Sequence, residues 1–129
     1  MSTERSKLVK KIDKEFSRYI RMRPCDDNGY ANCFTCGVRH HWKEVDAGHF
    51  MSRAKMATRW DVSNVQFQCK RCNGFRSGEQ YKFAQELGKE LADELVFLSN
   101  QTQKFGIDEL RELHEHFKKL ANDLEERLG

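Results

Sequence analysis

Residues 33–36 read CFTC and residues 69–72 read CKRC, and these two Cys-x-x-Cys pairs decide the fold of the chain. The two-residue gap lets both sulfur atoms of a pair turn toward one point, and four thiolates complete a tetrahedral zinc shell. Because such a shell leaves no position for water, we expect a structural zinc ion that stabilises a segment with little core of its own. The predicted ligands are Cys33, Cys36, Cys69 and Cys72, whereas the isolated Cys25 is expected to be an ordinary buried residue.

The composition around these pairs is that of a small globular chain in a reducing compartment. Of 129 residues, 38% are hydrophobic and 33% charged, and no stretch approaches the roughly 18–20 apolar residues of a membrane helix. Residues 1–14 are charged and lack the apolar centre of a secretory signal. We therefore expect no membrane partner and a cytoplasmic location, where cysteines bind metals more often than they form disulfides.

The formal net charge of +3 hides an asymmetry along the chain. Residues 1–76 carry 16 Lys or Arg against 8 Asp or Glu, a net charge of +8, whereas residues 77–129 carry 7 against 12, a net charge of −5. A basic front section suits a polyanionic partner such as a nucleic acid, and the acidic tail does not. Two solvated surfaces that merely differ in charge are the alternative.

The hydrophobic pattern predicts helices toward both ends and a largely non-helical middle. Residues 4–22 carry apolar side chains at spacings of three and four, and Pro24 ends this helix. Glycines and short apolar pieces within residues 25–75 suit brief strands. Residues 79–98 are predicted to form one helix and residues 108–128 another. The predicted α+β fold thus has an N-terminal basic helix (1–24), a zinc-stapled core (25–78) and a C-terminal helical pair (79–129).

The last predicted helix has an apolar seam that needs a partner. This seam can pack on the preceding helix, or on a second copy of the chain to give a homodimer through the C-terminal helices. We expect packing within the chain, because consecutive helices usually form antiparallel hairpins. The seam consists of Ile107, Leu110, His114, Phe117, Ala121, Leu124 and Leu128.

A second pattern overlaps the cysteine pairs. His49 is followed after fourteen residues by Asn64, and Asn64 after eight residues by Asn73, which comes directly after Cys72. This order and spacing resembles that of the His-Asn-His nucleases, in which a β-hairpin and a helix hold one divalent metal ion. Zinc knuckles often surround that element in the same superfamily.

Several segments resemble, more narrowly, the phage recombination endonucleases of the NinG and Rap family. The resemblance covers roughly residues 8–83. It implies a ββα-metal core, metal-dependent hydrolysis of DNA phosphodiester bonds, and branched substrates such as Holliday junctions and displacement loops. It also implies a phage or prophage protein acting inside the bacterial host. The segments are Phe16-Ser17-Arg18-Tyr19-Ile20-Arg21, Cys33 with Cys36 and Gly37, Ala47-Gly48-His49-Phe50, Gln68 with Cys69, Cys72 and Asn73, and Ser77-Gly78.

The three residues of the second pattern fit the needs of phosphodiester hydrolysis, which are an activated water and charge relief at the phosphate. His49 is the predicted general base, because a neutral imidazole accepts a proton from water near pH 7. Asn64 is predicted to fix the loop and orient His49, and Asn73 to present its side-chain oxygen to a Mg²⁺ or Mn²⁺ ion. Taken singly, each residue has a structural alternative: an ordinary core histidine, a turn asparagine and a helix-capping asparagine.

Position 48 departs from the wider superfamily, in which a metal-binding aspartate or histidine often precedes the histidine. Gly48 offers no ligand atom, so the second ligand is open between Asp46, His49 itself and Glu79. Asp46 is the nearest carboxylate, but residues 46 and 49 of a flat strand face opposite sides. A β-bulge at Gly48 would bring them together.

Basic side chains cluster around the same pattern and predict contact with DNA. Arginine matches phosphate oxygens with a fork of donors and grips the backbone without reading bases. Trp42, Trp60 and Phe75 could stack on exposed bases, although a place in the core is the commoner role of such residues. The predicted DNA-contacting residues are Arg53, Lys55, Arg59, Lys70, Arg71 and Arg76.

Two functions of other classes fit part of the sequence. A zinc-ribbon module that binds nucleic acid without cutting it accounts for the cysteines and the basic charge, but leaves the spacing of His49, Asn64 and Asn73 to chance. An adaptor whose acidic helices recruit a protein partner accounts for the tail but not for the site. Metal-dependent cleavage of DNA separates the first from an endonuclease, and deletion of the residues after about position 100 tests the second.

Overall fold

The computed structural model describes residues 3–128 as a mixed α+β fold with two small sheets. Residues 1, 2 and 129, which fall in the first and last predicted sections, lie outside the described residues. No helix in the described part of the chain is long and apolar enough to cross a lipid bilayer. The helices are α1 (Glu4–Met22), α2 (Met56–Arg59), α3 (Gln80–Leu87), α4 (Lys89–Ser99) and α5 (Ile107–Leu128), and the strands are β1 (Tyr30–Asn32), β2 (Arg39–His41), β3 (Val45–His49) and β4 (Val65–Cys69).

Helix α1 occupies the residues predicted for it. The side-chain oxygen of Thr3 accepts a hydrogen bond from the N–H of Ser6 at 3.0 Å and so caps the first turn. The helix ends at Met22; Arg23 keeps helical backbone angles and donates its N–H to the carbonyl of Tyr19, and Pro24, which has no N–H to donate, stops the pattern. Its apolar stripe is buried and consists of Leu8, Ile12, Phe16 and Ile20.

Two antiparallel hairpins form the middle of the molecule. β1 pairs with β2, and the first cysteine pair occupies the turn between them. β3 pairs with β4 in an unbroken register from Val45 opposite Cys69 to His49 opposite Val65. A β-bulge at Gly48, one of the options that the sequence left open, does not form, because Gly48 stands directly opposite Gln66 in this register. A single π-helical turn, Arg71–Phe75, follows β4 and carries the end of the second cysteine pair.

The segment predicted as one helix over residues 79–98 is two helices. Gly88 separates α3 from α4 with a φ of +91°, in the left-handed region that favours glycine. The apolar side chains keep a helical spacing on both sides of this break, and Phe83 and Leu95 are buried with Phe50 in one cluster. The period alone therefore does not reveal where the first helix ends.

Helix α5 packs along α1 and not on the preceding helix. Phe117 meets Phe16 edge to face, with ring centroids 4.8 Å apart, and Leu110 joins Leu8 and Ile12 in the same buried cluster. The predicted C-terminal helical hairpin is wrong in this respect, because α1 offers a long apolar stripe while α4 buries its own stripe with α3. The seam of α5 is filled within the chain, so a homodimer stays a prediction that would need another surface.

Candidate active site and metal centre

The four predicted zinc ligands meet at one point between the two hairpins. The sulfur atoms of Cys33, Cys36, Cys69 and Cys72 all lie within 4.8 Å of one another. The Sγ atoms of Cys36 and Cys69 are 3.7 Å apart. A tetrahedral shell with Zn–S bonds of about 2.3 Å needs sulfur atoms roughly 3.8 Å apart. The cluster could therefore hold a zinc ion.

Hydrogen-bond donors favour ionised sulfur at one position of this cluster, Cys33. Burial opposes ionisation of the Cys33 thiol, but the N–H of Cys69, 3.3 Å from its Sγ, the hydroxyl of Thr35 and the N–H groups of Thr35 and Cys36 together lower its pKa to about 6. Burial and the neighbouring sulfur atoms instead raise the pKa of Cys36 and Cys72. The thiolate is the form that binds zinc. Cys25 lies outside the cluster, donates its S–H to the carbonyl of Arg21 at 3.2 Å, and has a pKa that burial raises to about 11. It is an ordinary buried thiol, as predicted.

A cleft of about 800 Å³ runs between α1 and β3. Within residues 3–128, β3 pairs with β4 alone, so its other edge is free and side chains from both faces of the strand border the cleft. Asp46 and His49 thus share one cleft without a bulge. The polar residues that line it include Asp13, Ser17 and Arg21 from α1, Asp46 and His49 from β3, and Asn73 from the turn after β4.

A backbone carbonyl holds the ring of His49. Its Nε2 lies 2.9 Å from the carbonyl oxygen of Arg59. Because a carbonyl oxygen can only accept, Nε2 carries the proton and Nδ1 is the unprotonated nitrogen of the neutral ring, although the backbone of Ala47 also acts on this ring and, like the Arg59 carbonyl, raises its pKa. Burial lowers the pKa of His49 below its ordinary 6.5, and the charge of Arg53 lowers it further. The ring is therefore a neutral proton acceptor at pH 7.

Asn64 is fully buried under the loop that joins β3 to β4. Its Oδ1 accepts a hydrogen bond from the N–H of Met51 at 2.8 Å, and its Nδ2 donates to the carbonyls of Met51 and Thr58, each at 3.0 Å. These bonds tie down the loop that follows His49. Asn64 is not among the residues that border the cleft, and the ring of His49 is oriented by the Arg59 carbonyl.

Asp46 and Asn73 lie side by side in the cleft. The Nδ2 of Asn73 donates to one carboxylate oxygen of Asp46 at 3.0 Å, and the Nζ of Lys70 contacts the other at 2.7 Å. A half-turn of the Asn73 amide exchanges its nitrogen and oxygen. A carboxylate oxygen and an amide oxygen are ligands that hard divalent cations take. Glu79, the other carboxylate considered, is 3.8 Å from Arg76 instead.

Gln68 leaves no room for a side chain at position 48, which accounts for the glycine there. A Cβ atom on Gly48 would lie 2.0 Å from the Oε1 of Gln68. Gln68 is fully buried, and its Nε2 donates to the hydroxyl of Thr35 at 3.0 Å and to the carbonyl of Gly78 at 2.8 Å. Gln68 thereby links the turn of the first cysteine pair, through Thr35, to Gly78, which follows the second cysteine pair. It also fills the space that a metal ligand at position 48 would need.

The basic residues predicted to contact DNA do not form one cluster. Arg53 and Lys70 border the cleft, and Lys70 together with Arg71 and Arg76 surrounds the cysteine cluster. Lys55 is exposed just before α2. Five of the six predicted residues are exposed, and Arg59 is the exception.

Arg59 is bound by a carboxylate of α1. Its Nε and Nη2 donate to the two oxygens of Asp13 at 3.1 and 2.6 Å, and the Nε1 of Trp60 adds a third bond at 2.9 Å. Burial works against the charge of Asp13, but these bonds keep its pKa below the ordinary value. That Arg59 contacts DNA stays a prediction, and the structure weighs against it because Asp13 already neutralises the charge of Arg59. The carbonyl of the same residue lies against His49.

Three residues of α1 that border the cleft were not predicted from the sequence. Asp13, Ser17 and Arg21 recur every four residues, so they form a polar stripe beside the apolar one. The stripe contains no lysine, although the exposed face of the helix is rich in lysine, and this contrast is the signal that identifies it. No comparable signal marks Gln68, whose partners are distant in sequence.

The aromatic residues considered for base stacking separate into two groups. Trp42 and Trp60 are buried, with 8% and 7% of their surface exposed, whereas Phe75 is 87% exposed. The two tryptophans are therefore core residues, as their commoner role indicates. Phe75 is available to a partner.

Fold and site together define a small mixed α+β protein with a four-cysteine cluster beside a polar cleft. The family model described as Bacteriophage Lambda NinG protein matches residues 2–127, so the chain belongs to the NinG family.

Two curated relatives illustrate the similarity within this family. The Protein ninG of Escherichia phage 933W is 28% identical over 125 residues, which cover 93% of this chain and 59% of the relative. The Protein ninG of Escherichia phage lambda is also 28% identical over 125 residues, which cover 93% of this chain and 58% of the relative. The chain thus spans less than two thirds of the length of these relatives. No solved structure matches it.

Proposed function

We propose that this protein is a metal-dependent endonuclease that hydrolyses DNA phosphodiester bonds, with β3, β4 and the turn after them as a His-Asn-His, or ββα-metal, core. One observation carries the proposal: His49, Asp46 and Asn73 border a single cleft. A neutral proton acceptor therefore faces the same space as a carboxylate and an amide. Lys70 and Arg53 on the rim of this space supply positive charge that suits a phosphate backbone.

His49 is the proposed general base. Its Nδ1 takes a proton from the attacking water, while the Arg59 carbonyl keeps the ring in place through Nε2. The Asp13 clamp on the Arg59 side chain and the Asn64 bonds under the loop hold that carbonyl at the required position. Asn64 is thus a positioning residue that acts on the His49 ring indirectly, through the loop that carries the Arg59 carbonyl.

Asp46 and Asn73 would hold the catalytic Mg²⁺ or Mn²⁺ ion. For this, Asp46 releases Lys70 and the Asn73 amide turns its oxygen toward the carboxylate. When bound, such an ion relieves the negative charge that develops on the phosphate and on the leaving oxygen. Lys70, freed from Asp46, becomes available to the DNA backbone. The zinc ion of the cysteine cluster keeps a purely structural role in this scheme.

Branched DNA, such as a Holliday junction or a displacement loop, is the proposed preferred substrate. The proposal rests on the resemblance to the NinG and Rap endonucleases and on family membership. The exposed ring of Phe75 supports it, because an aromatic side chain in a basic sequence suits an unpaired base beside a phosphate backbone. Since the named relatives come from phages, we further propose that the protein acts inside an infected bacterium.

A zinc-stapled module that binds DNA without cutting it is the second candidate function. The ion pair between Lys70 and Asp46 favours it, because this carboxylate already has a cationic partner. In that case the cleft would bind backbone phosphates and would have no need of a divalent ion.

A cleavage assay separates the two functions. The purified chain is incubated with a four-way junction and with a matched linear duplex, with and without added Mg²⁺ or Mn²⁺. We expect cutting that requires the added ion and that falls at least about 100-fold in His49→Ala, since general bases contribute factors of this size. The matched control is His116→Ala, because His116 is exposed on α5.

Each other outcome of this assay has a defined meaning. DNA binding without any cutting by the unaltered chain would replace the endonuclease with the binding module. Cutting at an equal rate by His49→Ala would remove His49 from the role of base. Equal cutting of junction and duplex would contradict the preference for branched DNA while leaving the endonuclease in place.

A further inference from the structure

Arg21 is a partly buried cation on the α1 wall of the cleft. Its Nε donates to the hydroxyl of Ser17 at 3.0 Å, and its Nη1 donates to the carbonyl of Trp42 at 3.2 Å. The guanidinium carbon lies 5.2 Å from the centre of the Trp42 ring, a distance at which the ring face attracts a cation. The group is thus fixed in place by neutral partners, and no carboxylate among residues 3–128 forms an ion pair with it.

Much of the hydrogen-bonding capacity of Arg21 is unused. A guanidinium has five N–H donors, and the two bonds above occupy one on Nε and one on Nη1. Burial lowers the pKa of Arg21, and the negative charge of Asp46 on the opposite wall only opposes this effect. A partly buried cation that forms no ion pair with a carboxylate is stabilised when an anion joins it. The cleft therefore has room and donors for an anion.

Two other arginines close to this wall do have carboxylate partners. Arg59 is neutralised by Asp13, and Arg18, one turn earlier on α1, forms ion pairs with Glu15 and with Glu125 of α5. These two side chains hold elements together. Arg21 alone of the three borders the cleft without a carboxylate partner in the described residues.

We propose that Arg21 binds the non-bridging oxygens of a DNA phosphate in the cleft, opposite Asp46 and Asn73. The inference rests on the proposed function and names the residue that receives the phosphate. The planar fork of a guanidinium matches a phosphate group in geometry. Ser17 and Trp42 orient the fork before DNA arrives, so little ordering is needed on binding. The N-terminal helix is then a wall of the proposed active site.

The first test measures DNA binding without an added divalent ion. The affinity of a short fluorescent duplex is followed over a range of salt concentrations for the unaltered chain, Arg21→Gln, Arg21→Lys and Arg23→Gln. Arg23 is the matched control, because it lies on the same helix, has the same charge, and directs its Nη2 to the carbonyls of Val62 and Val65.

One lost phosphate contact reduces the slope of log affinity against log salt by about 0.9. We expect this reduction in Arg21→Gln, little change in Arg23→Gln, and an unchanged slope with weaker binding in Arg21→Lys, which keeps the charge but loses the fork. An unchanged slope in Arg21→Gln, or an equal reduction in Arg23→Gln, overturns the phosphate contact. If Arg21→Gln does not fold, Arg21→Lys provides the test. A DNA affinity of Arg21→Lys equal to that of the unaltered chain then contradicts a phosphate contact through the guanidinium fork.

The second test measures single-turnover cleavage at saturating DNA with Mg²⁺ or Mn²⁺. We expect Arg21→Gln to cut about 100- to 1,000-fold more slowly, as when a charge-stabilising donor is removed elsewhere, and Arg21→Lys to recover part of the rate. If the unaltered chain cuts nothing while Arg21→Gln still loses salt slope, the endonuclease fails and the phosphate contact stands. If cutting is normal in Arg21→Gln, the contact fails and the endonuclease stands.

Discussion

Among single residues, His49 is kept neutral by burial, and this makes the stability of the fold depend on pH. Its pKa in the folded chain lies below the ordinary 6.5, chiefly because burial disfavours the charged ring. Below pH 6.5 the unfolded chain therefore binds a proton that the folded chain does not. This part of the stability is fully present above pH 6.5 and is lost as the pH falls toward the folded-state value.

We therefore expect His49→Gln to remove part of the pH dependence of unfolding. The measurement is the free energy of unfolding in urea at about pH 7 and at about pH 5.5, for the unaltered chain and the variant. The stability of the unaltered chain should fall more between these values than that of His49→Gln. His116→Gln serves as the control and should keep the full difference. A His49→Gln variant with the same pH dependence as the unaltered chain would contradict the buried, neutral ring.

Residue roles were predictable where the partners are fixed by short spacing along the chain. The two Cys-x-x-Cys pairs predicted a four-sulfur cluster, and the structure brings the four together. The role of Arg59 was not predictable, because its partner Asp13 lies 46 residues earlier on another element. The same applies to Gln68, whose contact with Thr35 spans 33 residues. No local pattern distinguishes such a residue from a solvated one.

At the scale of elements, the four-cysteine cluster that joins the two hairpins could hold a zinc ion, and zinc binding there predicts different effects of changing Cys36 and Cys25. Cys36 is exposed and Cys25 is buried. If burial decided the outcome, Cys25→Ser would be the more harmful change. If zinc ligation decides it, Cys36→Ser is the more harmful one, because structural zinc contributes directly to the folding free energy.

We expect one zinc ion per chain in the unaltered protein and in Cys25→Ser, and a clear loss of zinc in Cys36→Ser. The melting temperature should fall strongly in Cys36→Ser, whereas Cys25→Ser should cost only about 1 kcal/mol, as is usual for a single substitution. Elemental analysis and thermal unfolding measure the two effects. Equal zinc content in both variants would argue against the four-cysteine shell.

The predicted bounds agree with the structure for α1 and α5 but not at the junction of α3 and α4. Helix α1 has Pro24 after it, and its predicted range agrees with the structure. Between α3 and α4 the apolar spacing continues across Gly88, so the break was missed. On a flat strand Asp46 and His49 face opposite sides, so a β-bulge at Gly48 was one way to bring them together. In the structure β3 pairs regularly, and both side chains border the cleft along its free edge.

For the whole molecule, the contact between α5 and α1 joins the two ends of the chain. We expect Phe117→Ala to destabilise the fold by about 3–5 kcal/mol, the usual cost of removing a buried phenylalanine ring. Phe97→Ala is the matched control, because Phe97 is 65% exposed while Phe117 is 4% exposed. Its effect should stay within about 0.5 kcal/mol. Urea unfolding measures both, and equal effects would contradict the packing of α5 on α1.

This packing also changes how a tail deletion should be interpreted. The three predicted sections share their cores: Leu8 of the first section, Val65 of the second and Leu110 of the third belong to one buried cluster. Removing the residues after about position 100 would expose the apolar stripe of α1. A loss of DNA binding after such a deletion would therefore report unfolding as much as a missing contact, and point changes on the exposed face of α5 are the cleaner test of an adaptor role.

Helix α1 serves two neighbours at once, with an apolar stripe that receives α5 and a polar stripe that forms a wall of the cleft. The two stripes are one residue apart, at 12, 16 and 20 and at 13, 17 and 21. An extra residue inserted within the helix would rotate everything after it by about 100°. Both surfaces would then be displaced together, so over evolutionary time this segment can accept exchanges of side chain far more readily than any change in length.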